Sequence, residues 1–426
     1  MNPLERLPPP VELNDLLDPL APRGIRLGLD AMAAALAEGG HPERRFAAVQ
    51  VAGTNGKGSI CAFLHAILRA AGLRVGVYRS PHLVSWCERI TLNDRWIAPH
   101  QLRSDLARWQ PLAERHGLTP FELVTAVAFD RFAREQLDLV VLEVGLGGRL
   151  DATTAHPHRP VIGFASIGLD HRELLGDTLA AIAAEKAGVL NRGAQAFSGP
   201  QEPEVAAVLE AEAAARGARL NWVDPLPTAA GGGPVLGLAG AVQRSNAAVA
   251  VAMARAIAQP ADPLGVAPML APALAASAVH AGLAAARWPG RLQQACWRSR
   301  PLLLDGAHNP PAASALRAEL DRRQPGPRRW LVGIQRTKDG PELLARLLRP
   351  GDRALITPLP DLPAWTAADL AAAQPALAGR LTPVGDARQG LQRLMDAASM
   401  QEREPVVCGS LHLLGALLPL LEAPGA

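Results

Sequence analysis

The stretch that decides the fold is Arg45-Phe46-Ala47-Ala48-Val49-Gln50-Val51 followed by Gly53-Thr54-Asn55-Gly56-Lys57-Gly58-Ser59. The first seven residues read as a buried strand and the next seven as a glycine-rich loop. Beyond them Ile60, Phe63, Leu64, Ile67 and Leu68 recur at helical spacing, with Gly72 a plausible stop. A loop of this kind, leaving a strand and opening a helix, lets backbone N–H groups approach phosphate oxygens at the positive end of the helix dipole. Lys57 adds a cation. The spacing departs from the standard phosphate-loop pattern, because Gly58 stands between Lys57 and Ser59.

Outward from this unit, Val75–Tyr78, Leu137–Val144 and Val161–Ile167 read as further strands, alternating with helical stretches. That alternation predicts an α/β fold: a phosphate-loop domain with a doubly wound, mostly parallel sheet. Proline and glycine thicken over 225–240, read as a surface excursion, and again at Trp288-Pro289-Gly290, read as a linker. After it, Leu302–Asp305, Trp330–Ile334, Ala354–Thr357 and Val406–Gly409 are strand candidates of a smaller Rossmann-like α/β domain. The expected domains are therefore 1–288 and 289–426. No internal repeat or heptad pattern is present.

Composition narrows the class. With 426 residues, 49% of them apolar, the chain is long enough for two cores. The formal net charge is +3 and no run of five Lys/Arg occurs, so nucleic acid and lipid are not expected partners. Cys61, Cys87, Cys296 and Cys408 are widely spaced, as in a reduced cytoplasmic protein. The start, MNPLERLPPP, does not read as a signal peptide. The uncharged stretch 263–286 is alanine- and proline-rich, too weakly apolar for a membrane span. Of 43 Lys+Arg residues only Lys57, Lys186 and Lys338 are lysine. Genome base composition is the bland reading of that depletion, and the three survivors are read as marking sites that need a compact ammonium or a reactive amine.

Glu143 ends an apolar strand at the edge where ligands of parallel sheets bind, a fitting place for a magnesium carboxylate. Asp170-His171 follows another strand. Asp177-Thr178 can cap a helix that carries Glu185-Lys186 and stops at Gly188. Asp305 ends a strand of the second domain, where an acid can hold ribose hydroxyls, with His308 and Asn309 in the turn. Taken singly, each has a bland reading as a cap, a turn or a satisfied histidine.

Together these stretches resemble the folylpolyglutamate synthases and dihydrofolate synthases, a branch of the Mur ligase superfamily. The resemblance spans about Gly24 to Leu414. It rests on GTNGKGS at 53–59, SPHL at 80–83, TPFE at 119–122, EVGLGGRLDAT at 143–153, LDH at 169–171, EKAGV at 185–189, NAA at 246–248, PGR at 289–291, DGAHNP at 305–310, TKD at 337–339 and GSLH at 409–412.

The resemblance implies an ATP-dependent ligase that adds L-glutamate to dihydropteroate and to reduced folates (tetrahydrofolates) through an acyl phosphate. It gives Gly53, Thr54, Asn55, Gly56, Lys57, Gly58 and Ser59, with Asn246, Arg291, Asp305 and His308, to ATP. Ser80, Glu143, His171 and Lys186 match ligands of two Mg²⁺ ions, Lys186 as a carbamate formed with CO₂. The catalytic set is then Lys57, Glu143, His171 and Lys186. Arg26, Leu27, Gly28, Thr119, Pro120, Phe121, Glu122, Leu150, Asp151 and Ala152 match pteroate-binding positions. A monomer is expected. Thr154 stands where the family commonly has asparagine, and Gln335-Arg336-Thr337 departs from the family form. Competing readings are a folylpolyglutamate synthase alone, a peptidoglycan Mur ligase, and a non-catalytic nucleotide-binding switch. The second usually has an extra N-terminal domain for its UDP sugar, whereas the phosphate loop here begins at Gly53.

Overall fold

The computed structural model describes residues 7–259, 264, 266–397 and 403–422. The first six residues of the N-terminal stretch lie outside this range, as do Pro263 and Gly265 of the uncharged stretch. Two compact units emerge. The first comprises 1–168, 172–238 and 243–287; the second comprises Leu169–His171, Ala239–Val242 and 288–426.

The first unit is built on eight strands: β1 (Ala48–Ala52), β2 (Val75–Tyr78), β3 (Ile90–Leu92), β4 (Arg95–Trp96), β5 (Leu139–Glu143), β6 (Val161–Phe164), β7 (Gln195–Ser198) and β8 (Arg219–Trp222). Their spatial order is β4-β3-β2-β5-β1-β6-β7-β8. Pairing is parallel from β2 through β8, and β3 and β4 add an antiparallel edge. Strands β1, β2, β5 and β6 are buried at every residue. Apart from Gln50 and Glu143 they can be almost wholly apolar, because helices cover both faces. From β1 the chain crosses β5 to reach β2, and from β5 it crosses β1 to reach β6. The two crossovers leave in opposite directions, opening a crevice at the C-terminal ends of β1 and β5, the switch point where such sheets bind ligands.

The helix Lys57–Ala70 follows the glycine loop and buries Ile60, Phe63, Leu64, Ile67 and Leu68. Gly282 of a later helix lies so close that an added Cβ would meet the Ile67 backbone at 2.5 Å. Removing the fully buried Phe63 ring would cost about 3–5 kcal/mol. The loop is therefore held from behind by packing.

The second unit carries β9 (Gln293–Trp297), β10 (Arg300–Leu304), β11 (Arg329–Val332), β12 (Arg353–Ile356), β13 (Leu381–Pro383) and β14 (Val406–Cys408), in the order β13-β12-β11-β14-β10-β9. All pairs are parallel except β9–β10. The α/β class with two parallel-dominated sheets is as the alternation predicts. Strands β3, β4, β7, β8, β9 and β13 escaped the sequence reading. They are short, or like Gln195–Ser198 and Arg219–Trp222 lack a run of branched apolar residues. Among the described residues no helix is long and apolar enough to cross a membrane.

Candidate functional site

In the first unit the glycine loop bends sharply off β1, with φ of 137° at Gly53 and 102° at Gly56, a region L side chains rarely enter. At Gly56 an added Cβ would also meet Asn246 Oδ1 at 2.6 Å. The loop is tied down by the Ser166 carbonyl, which accepts from Thr54 N (2.8 Å) and Asn55 N (3.1 Å). Lys57 Nζ donates to the Gly53 and Thr54 carbonyls at 3.1 and 3.2 Å, which keeps the ammonium inside the loop. Gly56 caps the helix without a side-chain bond, so the first helical N–H groups have no partner within the helix. Ser59 is 1% exposed and its Oγ has no hydrogen-bond partner. Asn246, from the helix Val242–Ile257, donates to Gln243 Oε1 at 3.0 Å and faces the loop through Gly56.

Glu143 ends β5 and is 4% exposed. The register pairs Val51 with Glu143 and Tyr78 with Leu142, which brings Glu143, the loop start and Ser80 to one end of three neighbouring strands. Arg79 is buried within electrostatic reach of Glu143, and burial holds its guanidinium below the usual arginine range. Lys186, 5% exposed, sits in the last turn of the helix Leu179–Ala187. That turn presses on Gly148, where a Cβ would meet the Lys186 carbonyl at 2.8 Å.

A hard-cation site is supported by this chemistry: a carboxylate and a hydroxyl at one sheet edge, with the orphaned Ser59 Oγ at the adjoining loop. The Lys186 ammonium is itself a cation and fits a metal only as its carbamate.

The proposed acceptor positions gather in the same unit. Thr119 and Glu122 form a reciprocal capping box at the start of the helix Pro120–Arg134, Glu122 Oε2 accepting from Thr119 N at 2.8 Å. Phe121 stacks obliquely on Tyr78 at 6.2 Å and would lie 2.5 Å from a Cβ at Gly145. The TPFE stretch and the glycine turn 145–151 are thus adjacent. Asp151 is the knot of that turn: Oδ2 accepts from Gly145 N and Leu146 N at 3.0 and 2.9 Å, and Oδ1 from Thr153 N and Oγ1 at 3.0 and 2.5 Å. Leu150 and Ala152 flank it. Arg26 and Leu27 are exposed and Gly28 half-buried, in a segment anchored by Arg23 Nη1 bonding the Ala113 and Leu118 carbonyls. Thr154 Oγ1 donates to the Gly148 carbonyl at 2.7 Å and accepts from Gln50 Nε2 at 3.0 Å.

In the second unit Asp305 follows β10 and accepts two backbone bonds, Oδ2 from Leu292 N and Oδ1 from Ala307 N, each 2.9 Å. Burial raises its carboxyl above the usual range, against the pull of the Arg291 charge. His308 Nδ1 lies 2.8 Å from the Gly306 carbonyl. Asp170 and His171 belong to this unit, with His171 at φ +51°. Lys338 Nζ is 2.6 Å from Asp170 Oδ1 and 3.0 Å from His171 Nε2. Asn309 Nδ2 donates to Asp170 Oδ2 at 2.9 Å. Burial alone would raise Asp170, but the His308 bond and the Lys338 charge hold its carboxyl far below the carboxylate range. Sequence reasoning singled out Lys338 only as one of three lysines and read Asn309 only as a turn residue, giving neither a partner. The signal available was the scarcity of lysine.

Comparison with known proteins bears on the family and the fold. The family described as dihydrofolate synthetase, C-terminal domain, matches residues 291–420. The chain is 32% identical to a dihydrofolate synthetase of Saccharomyces cerevisiae over 92% of this chain and 97% of that one. It is 30% identical to E. coli FolC in complex with DHPP and ADP, with a TM-score of 0.83 over 97% of this chain and 99% of that one. It is also 30% identical, at a TM-score of 0.81 over 97% and 99% of the two chains, to a bifunctional folylpolyglutamate synthase/dihydrofolate synthase of Yersinia pestis complexed with AMPPNP and Mn ion.

Proposed function

The chain belongs to the dihydrofolate synthetase and folylpolyglutamate synthase family, and from that premise we propose that it uses ATP to join L-glutamate to dihydropteroate and to reduced folates. The observation that carries this reading is the meeting, at one sheet edge, of the phosphate loop with Glu143 and Ser80, the Lys186 helix end lying against Gly148.

A carboxylate does not react with an amine at neutral pH, so it is first activated as an acyl phosphate by attack on the γ-phosphoryl group of ATP. Positioning and charge neutralisation carry such a step. Lys57 and the helix-start N–H groups supply them for the phosphates, with Asn246 closing the loop's flank. Arg291, Asp305 and His308 of the second unit are assigned to the nucleotide. Because Asp305 already orders the Leu292 and Ala307 backbone, it shapes the turn it contributes.

Ser80, Glu143, His171 and carbamylated Lys186 are the residues that would hold two Mg²⁺ ions. When bound, these ions neutralise charge on the migrating phosphoryl group. The residues around Phe121, Gly145–Ala152 and Arg26–Gly28 are assigned to the pteridine-bearing acceptor. The α-amine of glutamate then attacks the acyl carbon and phosphate leaves. We assign residues 1–288 to the ATP- and folate-binding domain and 289–426 to the Rossmann-like ligase domain. The four free cysteines, three of them buried, support a cytoplasmic setting.

The test is ADP release with ATP, Mg²⁺ and L-glutamate, with 7,8-dihydropteroate and tetrahydrofolate in separate reactions and product masses recorded. Glutamate added to both acceptors is the expected result. Addition to tetrahydrofolate alone would reduce the activity to polyglutamate synthesis, and addition to neither would overturn the reading.

A further inference from the structure

Within the second unit three polar side chains and one backbone N–H converge on one carboxylate. Asp170 Oδ1 receives Lys338 Nζ at 2.6 Å and the His171 backbone N–H at 2.9 Å. Asp170 Oδ2 receives Asn309 Nδ2 at 2.9 Å, with His308 Nε2 at 3.7 Å. The same lysine nitrogen lies 3.0 Å from His171 Nε2. The side chains of Lys338 and Asp170 are only 10% and 9% exposed.

An ammonium has donors and no acceptor, so a Lys–His bond of this length requires His171 to be neutral, with its proton on Nδ1 and the Nε2 lone pair receiving Lys338. A metal ion at Nε2 needs that same lone pair, and an imidazole nitrogen has only one. The two bonds exclude each other.

We propose that Lys338 is a built-in competitor for the divalent cation at His171, occupying Nε2 in the metal-free protein and retreating onto Asp170 when the metal binds. The proposal rests on the assignment of His171 as a metal ligand. Asp170 suits the pivot because its bond to Lys338 survives the exchange. Lysine suits it better than arginine: a compact ammonium can turn about one carboxylate oxygen, whereas a guanidinium fork would be fixed by it. This accounts for the third lysine in a chain that uses arginine almost everywhere else. Metal loading and the position of a cation in the second unit thereby become one event.

The test is Mn²⁺ titration followed by electron paramagnetic resonance on the full-length wild type, Lys338→Met, His171→Ala and the double variant. Loss of a competing charged hydrogen bond should tighten Mn²⁺ at the His171-dependent site about tenfold in Lys338→Met. That gain should vanish when His171 is also alanine. Equal tightening with and without His171 would overturn the proposal, reducing Lys338 to a distant charge. Unchanged Mn²⁺ affinity in His171→Ala would instead remove His171 from the metal site, a separate failure. A readout that needs no Lys338 variant is ¹⁵N resonance of histidine-labelled wild type titrated with Mg²⁺. The His171 Nε2 signal should move while Nδ1 stays protonated, and metal-induced movement at Nδ1 instead would overturn the exchange.

Discussion

Glu143 in the first unit and Asp305 in the second hold corresponding places, each at the C-terminal end of a parallel strand, yet their surroundings differ. Both oxygens of Asp305 accept backbone N–H groups that shape the 290–307 turns. Asp151, also assigned to ligand binding by its motif, is bonded still more heavily, with three backbone N–H groups and a threonine hydroxyl. Glu143 stands instead among charges, close enough to Arg79 and Cys61 that it adds to what burial does in raising the Cys61 thiol. A carboxylate inside a motif can therefore build the loop that makes a site, or serve in the site itself.

The sharpest break in this comparison is expected on turnover. Lys186→Arg should fold yet lose about 100-fold or more of ligase activity, because guanidinium cannot become a carbamate ligand. Lys186→Ala should recover part of it with added short carboxylates, as read by ADP release. Wild-type turnover by Lys186→Arg would sink the carbamate. Glu143→Gln should likewise lower Mg²⁺-dependent turnover by about 100-fold while leaving the urea midpoint nearly unchanged.

The structural carboxylates should behave in the opposite way. Asp151→Ala should lose about 2–4 kcal/mol of stability by leaving buried donors unmet, and Asp305→Asn about 1–3 kcal/mol. Urea unfolding measures both. If Glu143→Gln proved the more destabilising, the division drawn here would fail.

Acid should also separate the units. Burial leads in lowering His65 to about 3 and His156 to about 4, both in the first unit. Their folded values lie below the unfolded 6.5, so the unfolded chain takes up protons first. Stability is complete above pH 6.5 and falls as pH drops through the window down to about 3. At pH 5 each histidine should cost about 2 kcal/mol. Asp170, by contrast, keeps its charge and its Lys338 bond throughout that window. Denaturant midpoints at pH 7.5 and pH 5 should drop for wild type and drop less for His156→Gln.

The smallest effect is expected from Thr154→Asn, which exchanges one bond to Gly148 for a bulkier amide. Stability should change by about 1 kcal/mol or less, with any kinetic change confined to the KM of the pteridine-bearing acceptor.

Much of this was legible in the chain because its causes are local. A strand, a glycine turn and a helix with apolar positions at Ile60, Phe63, Leu64 and Ile67 announce a phosphate loop before any tertiary contact forms. Central strands β2, β5 and β6 show themselves as apolar runs. Edge strands such as β8, exposed at Arg219 and Trp222, carry no such mark. Roles decided by partners far along the chain were hidden. That Asp305 meets Leu292, or that Phe121 meets Gly145, follows from packing among segments whose spacing in sequence carries no distance.

Sequence alone thus determined the central strands of two parallel-dominated sheets, the glycine loop between strand and helix, and the family, since backbone propensity, apolar periodicity and glycine placement are local and additive. Only the tertiary structure decided that Asp151 and Asp305 hold backbone and that Lys338 shares Asp170 with His171. A hydrogen bond is made by whichever donor arrives within about 3 Å, and residues 168 positions apart are brought there by the fold.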